Sequence, residues 1–443
     1  MRGSTLRTAT AALAASCVLG AGLPGQAAAA DGDGSGASPR PYRTAEDAQA
    51  VQGAANSIDG PQLRPGRYTD TLDAGERTYY TVELDDSSHG YVSAVLAPPP
   101  GTAVGSFDGF TLALEDTDGT VCDETEATFR SKNLSRPIAG HVVRYLEPDG
   151  ACQEADLYVV RLERKGEDSG KAAWPVELQV MREPGVRGET PRNPTDPSLA
   201  TEPPPQPTGS PQQVSGGTGF DDPPALGHGV WKDRLLPGET RFYKVPVGWD
   251  QQLFVRTAFS NAAEKGTFVF SALRMEVYNP ARGLVAEADT SYNGEQRELS
   301  AATAPVAYAN REESSSEVAR ASVAGWYYLA VTVHRDVASV APNGVPFLLR
   351  IALKGEPGKG PRYDGDATEA GFGVTDEDRE QAAKGLTDEE AAGGGDLRLL
   401  GYLSLGTGVA LLLVLGGWTL LARRRAAVAT PPGYAPPGYP PAR

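Results

Sequence analysis

Histidine and cysteine are scarce in this chain, with four and three residues among 443. His89, His141, His228 and His334 fall in no H-E-x-x-H arrangement, so a zinc-peptidase reading has no support in the sequence. There is no G-x-S-x-G nucleophile elbow and no P-loop. Excess positive charge is missing too: 41 Lys and Arg stand against 57 Asp and Glu, a formal charge of -16. Nucleic acid or an anionic lipid surface needs a basic face, so neither is expected as the main partner. A serine-histidine-aspartate set or a pair of carboxylates assembled from scattered positions is not marked by any order of residues. No catalytic residue, bound metal or cofactor is therefore expected.

Long uncharged runs suited to a leader or a membrane helix are equally few, and the two present lie at the ends. Residues 1–30 begin with Arg2 and Arg7, continue through a weakly apolar alanine-rich run, and close on four alanines before Asp31. Positive flank, apolar run and A-x-A end mark a secretory signal peptide with cleavage near Ala30. Residues 399–422 contain no charge and are followed at once by Arg423, Arg424 and Arg425. At about 1.5 Å per residue such a stretch crosses a hydrocarbon core of roughly 30 Å. The arginine run, set against the acidic segment before it, places the C-terminus in the cytoplasm. The expected protein is single-pass type I in the cell membrane, with its bulk extracellular.

Cleavage removes Cys17 and leaves Cys122 and Cys152. A single pair in an exported chain most simply forms a disulfide. Closing that loop stabilises the fold by about 3–4 kcal/mol on the chain-entropy model. Two free thiols or a metal pair are poorer readings, because no His or third Cys lies nearby at ligand spacing.

The middle of the chain repeats. Shifted by 163, residues 59–84 lie over 222–247 without a gap. Ten of the 26 positions are identical: Asp59/Asp222, Pro61/Pro224, Leu63/Leu226, Gly66/Gly229, Asp70/Asp233, Leu72/Leu235, Gly75/Gly238, Glu76/Glu239, Tyr80/Tyr243 and Val82/Val245. The likeness returns at Phe110/Leu273, at the runs beginning Asp156 and Gly325, and at those beginning Trp174 and Val345. Within each unit apolar residues alternate with period two, and Gly, Asp and Pro turns separate the short runs. No long amphipathic helix interrupts them. The expected fold is all-β: two tandem antiparallel β-sandwich (jelly-roll-like) domains plus one C-terminal transmembrane helix.

The strand pair around Leu72-Asp-Ala-Gly-Glu-Arg-Thr-Tyr-Tyr80 resembles the opening of bacterial pre-peptidase C-terminal domains. Its second copy, Leu235-Leu-Pro-Gly-Glu-Thr-Arg-Phe-Tyr243, resembles it as well, and the turn at 112–119 looks like that family's hairpin. The resemblance implies exterior β-sandwiches that assist binding or secretion and transfers no catalytic residue. Peptidase domains usually accompany the family, and none is seen here. Arginine and alanine far outnumber lysine and isoleucine, as in chains from high-GC bacterial genomes.

The expected organisation is signal peptide 1–30, flexible segment 31–53, first sandwich 54–184, Pro-rich linker 185–220 and second sandwich 221–357. An acidic, Gly-rich stalk at 358–398, with a short helix near 376–384, leads to the membrane helix 399–422 and the cytoplasmic Pro-Gly-Tyr tail 423–443. Polyproline II in that tail would offer Tyr434 and Tyr439 to a partner. Asp116 and Asp118, with Asp123 and Glu124, form an oxygen cluster suited to calcium. The second copy, however, has Asn279-Pro-Ala-Arg-Gly283 at that turn, so a plain hairpin turn is preferred. Trp231, Trp249, Trp326, Tyr327 and Tyr328 would suit a carbohydrate platform but at strand spacing are expected in the core.

The function expected from all this is non-catalytic binding or scaffolding at the cell surface, with a cell-wall polymer or an exported protein as partner. The alternatives are a cell-surface hydrolase with an unmarked site, and a signalling or secretion-associated component acting through the tail.

Overall fold

The computed structural model describes residues 38–147, 150–166, 170–188, 202–393 and 416–420. The expected signal peptide, nearly all of the expected membrane segment and the tail with Tyr434 and Tyr439 lie outside the described residues. Among the described residues no helix is long and apolar enough to cross a membrane.

The first module contains β1 (Gln49–Ala50), β2 (Gln62–Leu63), β3 (Gly66–Leu72), β4 (Arg77–Leu84), β5 (Ser88–Leu96), β6 (Gly109–Glu115), β7 (Val121–Thr128), β8 (Ile138–Arg144), β9 (Asp156–Lys165) and β10 (Trp174–Pro184). They form two sheets, ordered β1-β3-β10-β5-β8 and β2-β4-β9-β6-β7. The second module contains β11 (Gln212–Gln213), β12 (Gly229–Leu235), β13 (Thr240–Val247), β14 (Gln252–Phe259), β15 (Val269–Tyr278), β16 (Leu284–Tyr292), β17 (Arg297–Ala302), β18 (Gly325–Val333) and β19 (Val345–Lys354). Its sheets run β11-β12-β19-β14-β17 and β13-β18-β15-β16. Each pair of sheets encloses its own core, with Trp174, Tyr80, Tyr158 and Phe110 in the first and Trp231, Tyr243, Tyr327 and Phe347 in the second.

The repeat holds at the level of single hydrogen bonds. Gln49 pairs with Tyr68 and Gln212 with Trp231; Ala54 bridges Tyr79 and Gly217 bridges Phe242. All four relations keep the offset of 163. The identical residues serve the same two purposes in each copy. Tyr80 and Tyr243 donate their hydroxyls to Asp70 and Asp233, both at 2.7 Å. Those carboxylates also accept the amides of Gly53 and Gly216, both at 2.8 Å. Glu76 and Glu239 accept the amides of Asp73 and Leu236 and close the turn before β4 and β13. Gly75 and Gly238 sit in that turn at φ +73° and +83°, a region that favours glycine. Gly53 and Gly216 matter for space: a Cβ on Gly216 would lie 2.7 Å from the Tyr243 ring. The repeated unit thus starts at β1 and β11, earlier than the boundaries at 54 and 221.

Three segments read as spacers or tails pack against the body instead. Residues 38–53, expected to be flexible, cross the first module and reach the second, where Arg40 donates to the Gly216 carbonyl at 3.0 Å. Within the Pro-rich linker, Pro203 and Gln206 lie on the outer face of the β11-β12-β19-β14-β17 sheet, and Lys354 Nζ holds the Glu202 carbonyl at 2.7 Å. The acidic stalk wraps back over both modules through residue 393. Val186 bridges Tyr363, and the helix Asp376–Lys384, capped by Thr375, packs its Ala382 carbonyl on the Gly227 amide at 2.7 Å. Composition shows that such segments cannot build a core of their own. It does not show that they cannot dock on a neighbouring one.

Candidate functional site

The modules meet sheet face against sheet face. Val95 and Ala139, on the outer face of β5 and β8, pack against Phe220, Phe242, Tyr278 and Ala330 of the second module. Buried ion pairs cross the same plane. Arg282 meets Glu177 at 2.5 Å, Arg136 meets Glu276 through two bonds of 2.7 and 2.9 Å, and Arg311 meets Glu183 at 3.0 Å. All six side chains are nearly excluded from solvent. Glu183 also accepts hydroxyls from Tyr91 and Tyr363, each at 2.7 Å. Arg311 lies over the rings of Tyr308 and Tyr145, 3.6 and 4.8 Å from their centroids. Burial alone would raise the Glu276 carboxyl, but Arg136 and Arg274 beside it pull it down to about 2.

Three of the four histidines are spent at this junction. His89 Nε2 contacts the Tyr308 hydroxyl at 2.8 Å, His141 Nδ1 the Ala281 carbonyl at 3.2 Å and His334 Nε2 the Lys132 carbonyl at 3.2 Å. Burial, with Arg311 nearby, lowers His89 to about 4; burial, with Arg320 nearby, lowers His141 to about 3. Both imidazoles are neutral near pH 7 and serve as hydrogen-bonding wedges.

A cavity of about 300 Å³ opens at the edge of the junction, lined by Asp123, His141, Tyr145, Gln153 and Arg320, with Cys122 at its rim. Cys122 on β7 and Cys152 are joined by a disulfide, so the expected bond is present and closes a separation of 30 residues beside this cavity. Burial raises the Asp123 carboxyl, which accepts the Val143 amide at 2.8 Å and faces Arg320.

Each module also keeps one sheet face open. On the second module, Phe254, Arg256, Leu348, Arg350, Glu298 and Ser300 point away from the core, as the alternating burial of β14, β17 and β19 dictates. Two cavities of about 230 and 510 Å³ share Gln206 and Arg256 there and form a groove walled by Pro203. On the first module the open face is that of β4, β9, β6 and β7. Arg161 sits at its centre, bound to Glu115 at 2.6 Å and Glu124 at 3.0 Å, with Arg77 on Glu163 at 2.8 Å.

The remaining candidates fall elsewhere. Asp116 accepts the amides of Thr120 and Asp118 at 2.7 and 3.0 Å, and these backbone bonds, Thr120's foremost, lower its carboxyl. It caps its own turn, and no acidic, His or Cys group suited to a metal occurs among the described residues. Trp231 and Tyr327 are core residues, Trp249 packs at the core's edge, Tyr328 joins the junction and Trp326 holds the Lys244 ammonium 4.6 Å from its ring. Sequence reasoning missed Glu177, Glu183, Arg282 and Arg311, whose only signal was charge inside an otherwise apolar strand or next to a turn.

The fold and junction define a tandem β-sandwich protein whose two modules are fused through their sheets. No family model matches the chain, and no curated protein does. Among solved structures it is similar to the tandem CBM51 modules of a family 98 glycoside hydrolase from Streptococcus pneumoniae, at 8% identity over 64% of this chain and 83% of that one, with a TM-score of 0.17. It is also similar to the tandem CBM22 domain of Xyn10C from Paenibacillus barcinonensis, at 12% identity over 73% and 99%, with a TM-score of 0.19. Tripeptidyl peptidase 2 shares 10% identity over 66% and 24%, again with a TM-score of 0.19. Superpositions this loose carry no argument about ligand or activity, and the architecture rests on the strand pairing itself.

Proposed function

We propose that the chain is an exported protein, anchored in the cell membrane by residues 399–422, whose joined modules bind or scaffold a cell-wall polymer or another exported protein without catalysing a reaction. The observation that carries this reading is the division of labour among its polar groups. His89, His141, His334, Glu177 and Glu183 are consumed in holding the modules together. Among the surfaces presented to solvent are two broad strand faces, one of them grooved. Broad faces with scattered charge suit recognition of an extended or macromolecular partner. The exterior modules would act as a display platform, as the resemblance to pre-peptidase C-terminal domains also implies.

The test is photo-crosslinking in intact cells, from reactive residues placed at Phe254 and Glu126 of the full-length protein. Capture of an extracellular polymer or exported protein from either face is the expected result. Turnover of peptide or glycan substrates by the purified protein, or capture only through the tail after Arg425, would overturn the reading.

A further inference from the structure

We propose that the partner of the open faces is a second copy of this chain, docked head to tail in the way the two modules already dock within one chain. The proposal rests on the binding reading above and names its partner. Val92 pairs with Val142 and Val180, and Val255 with Ala301 and Ile351. These ladders fix which residues correspond between the modules. The first module contributes its β1-β3-β10-β5-β8 face to the junction, whereas the second contributes the other kind of face, that of β13-β18-β15-β16. The contact is therefore heterologous, and it leaves one face of each kind open, on opposite modules. A heterologous contact whose two faces both recur unpaired can repeat between molecules.

The open faces are not copies of the buried ones, and their chemistry selects each other. At the positions of Ser93 and Gln179 the second module carries Arg256 and Arg350, and Lys232 and Arg234 are exposed on the same sheet, with Glu298 the acidic residue among them. This is a basic surface on a chain of formal charge -16. The opposing open face carries Glu83, Glu115, Glu124, Glu126 and Glu163 against Arg77, Arg161 and Lys165. Within the chain Ala139 and Ala330 belong to the same buried cluster at the junction. The corresponding residues on the open faces are Glu298 and Arg161, so the same docking would bring opposite charges together. The segment before each module matches as well: Pro203 and Gln206 lie across the open face, as Tyr42 and Ala45 lie on Glu177.

The test uses the full-length chain in its own membrane, with a photo-reactive residue replacing Ser300. The expected product joins two copies, Ser300 to a peptide from β6, β7 or β9. Its yield falls with salt and drops by more than about tenfold in R256E/R350E, since like charges across an interface cost several kcal/mol. Mixing R256E/R350E with chains carrying E124K/E126K should restore it. Both substitutions change residues at the surface, and an unchanged melting temperature confirms folding. A product joining Ser300 to the second module of another copy would overturn the head-to-tail geometry. Capture of a polymer or an unrelated exported protein alone would overturn self-association while leaving the binding reading intact. Capture of nothing from any open face would overturn both.

Discussion

The two modules share a strand order, a turn and an internal strut, yet they turn opposite sheets toward each other. In the first, the sheet containing β5 and β10 is the buried one and carries Glu177 and Glu183. In the second, the corresponding sheet faces outward and has Leu348 and Lys354 at those two positions. What the copies kept is inside: the Asp70–Tyr80 and Asp233–Tyr243 bonds have equal lengths. What they lost is on the faces. A duplicated sandwich keeps the groups that satisfy its own backbone, while its outer sheets are free to become one half of an interface or an open surface.

The comparison breaks most readily at Glu183. In E183Q the buried Arg311 guanidinium loses its counter-charge, which should cost about 3–5 kcal/mol, read by chemical denaturation. K354Q, at the corresponding position, should change stability by about 0.5 kcal/mol or less. Next in size is the disulfide, present in the first module alone. C122S/C152S should cost about 3–4 kcal/mol on the chain-entropy model, and hydrogen exchange should show the loss concentrated in the first module and at the junction cavity.

Acid should loosen the junction before it melts either core. His89 and His141 have folded values of about 4 and 3, below the ordinary 6.5. The unfolded chain therefore binds their protons first. Their contribution is fully present above pH 6.5 and fades as pH falls toward 4, by about 1.4 kcal/mol per unit for each ring. Exchange protection at Tyr308 and Ala281 should fall over that window, ahead of the core strands. A smaller pair of losses sharpens the likeness between the copies. D70N and D233N each weaken the same two bonds and should cost about 1–2 kcal/mol apiece, equal within error by thermal unfolding.

Much of the interior was legible in the sequence. The identities Gly75/Gly238 and Glu76/Glu239 marked a turn, and period-two alternation placed Tyr80, Val82, Tyr243 and Val245 in the two cores. The lone cysteine pair after Cys17 gave the disulfide. The junction was not legible, because a carboxylate such as Glu177 reads as a solvated position until its partner, Arg282, is known. That partner lies 105 residues away and is brought near only by the packing. Segments 38–53 and 358–393 were misjudged for a related reason. Their composition is poor in apolar residues, but Tyr42, Tyr363 and Phe372 dock singly on surfaces that only the assembled modules create. Gly53/Gly216 lay just outside the ungapped match, so the repeat was read as starting too late.

The claim on which the rest depends is that the two modules form one body and are not beads on a Pro-rich spacer. Pulsed electron resonance between spin labels at Glu126, on the open face of the first module, and Ser300, on that of the second, tests it directly. A single narrow distance distribution, unchanged when residues 189–201 are replaced by a Gly-Ser sequence of equal length, is the expected result. A broad distribution that shifts with that replacement would contradict the account and return the linker to the role of a spacer.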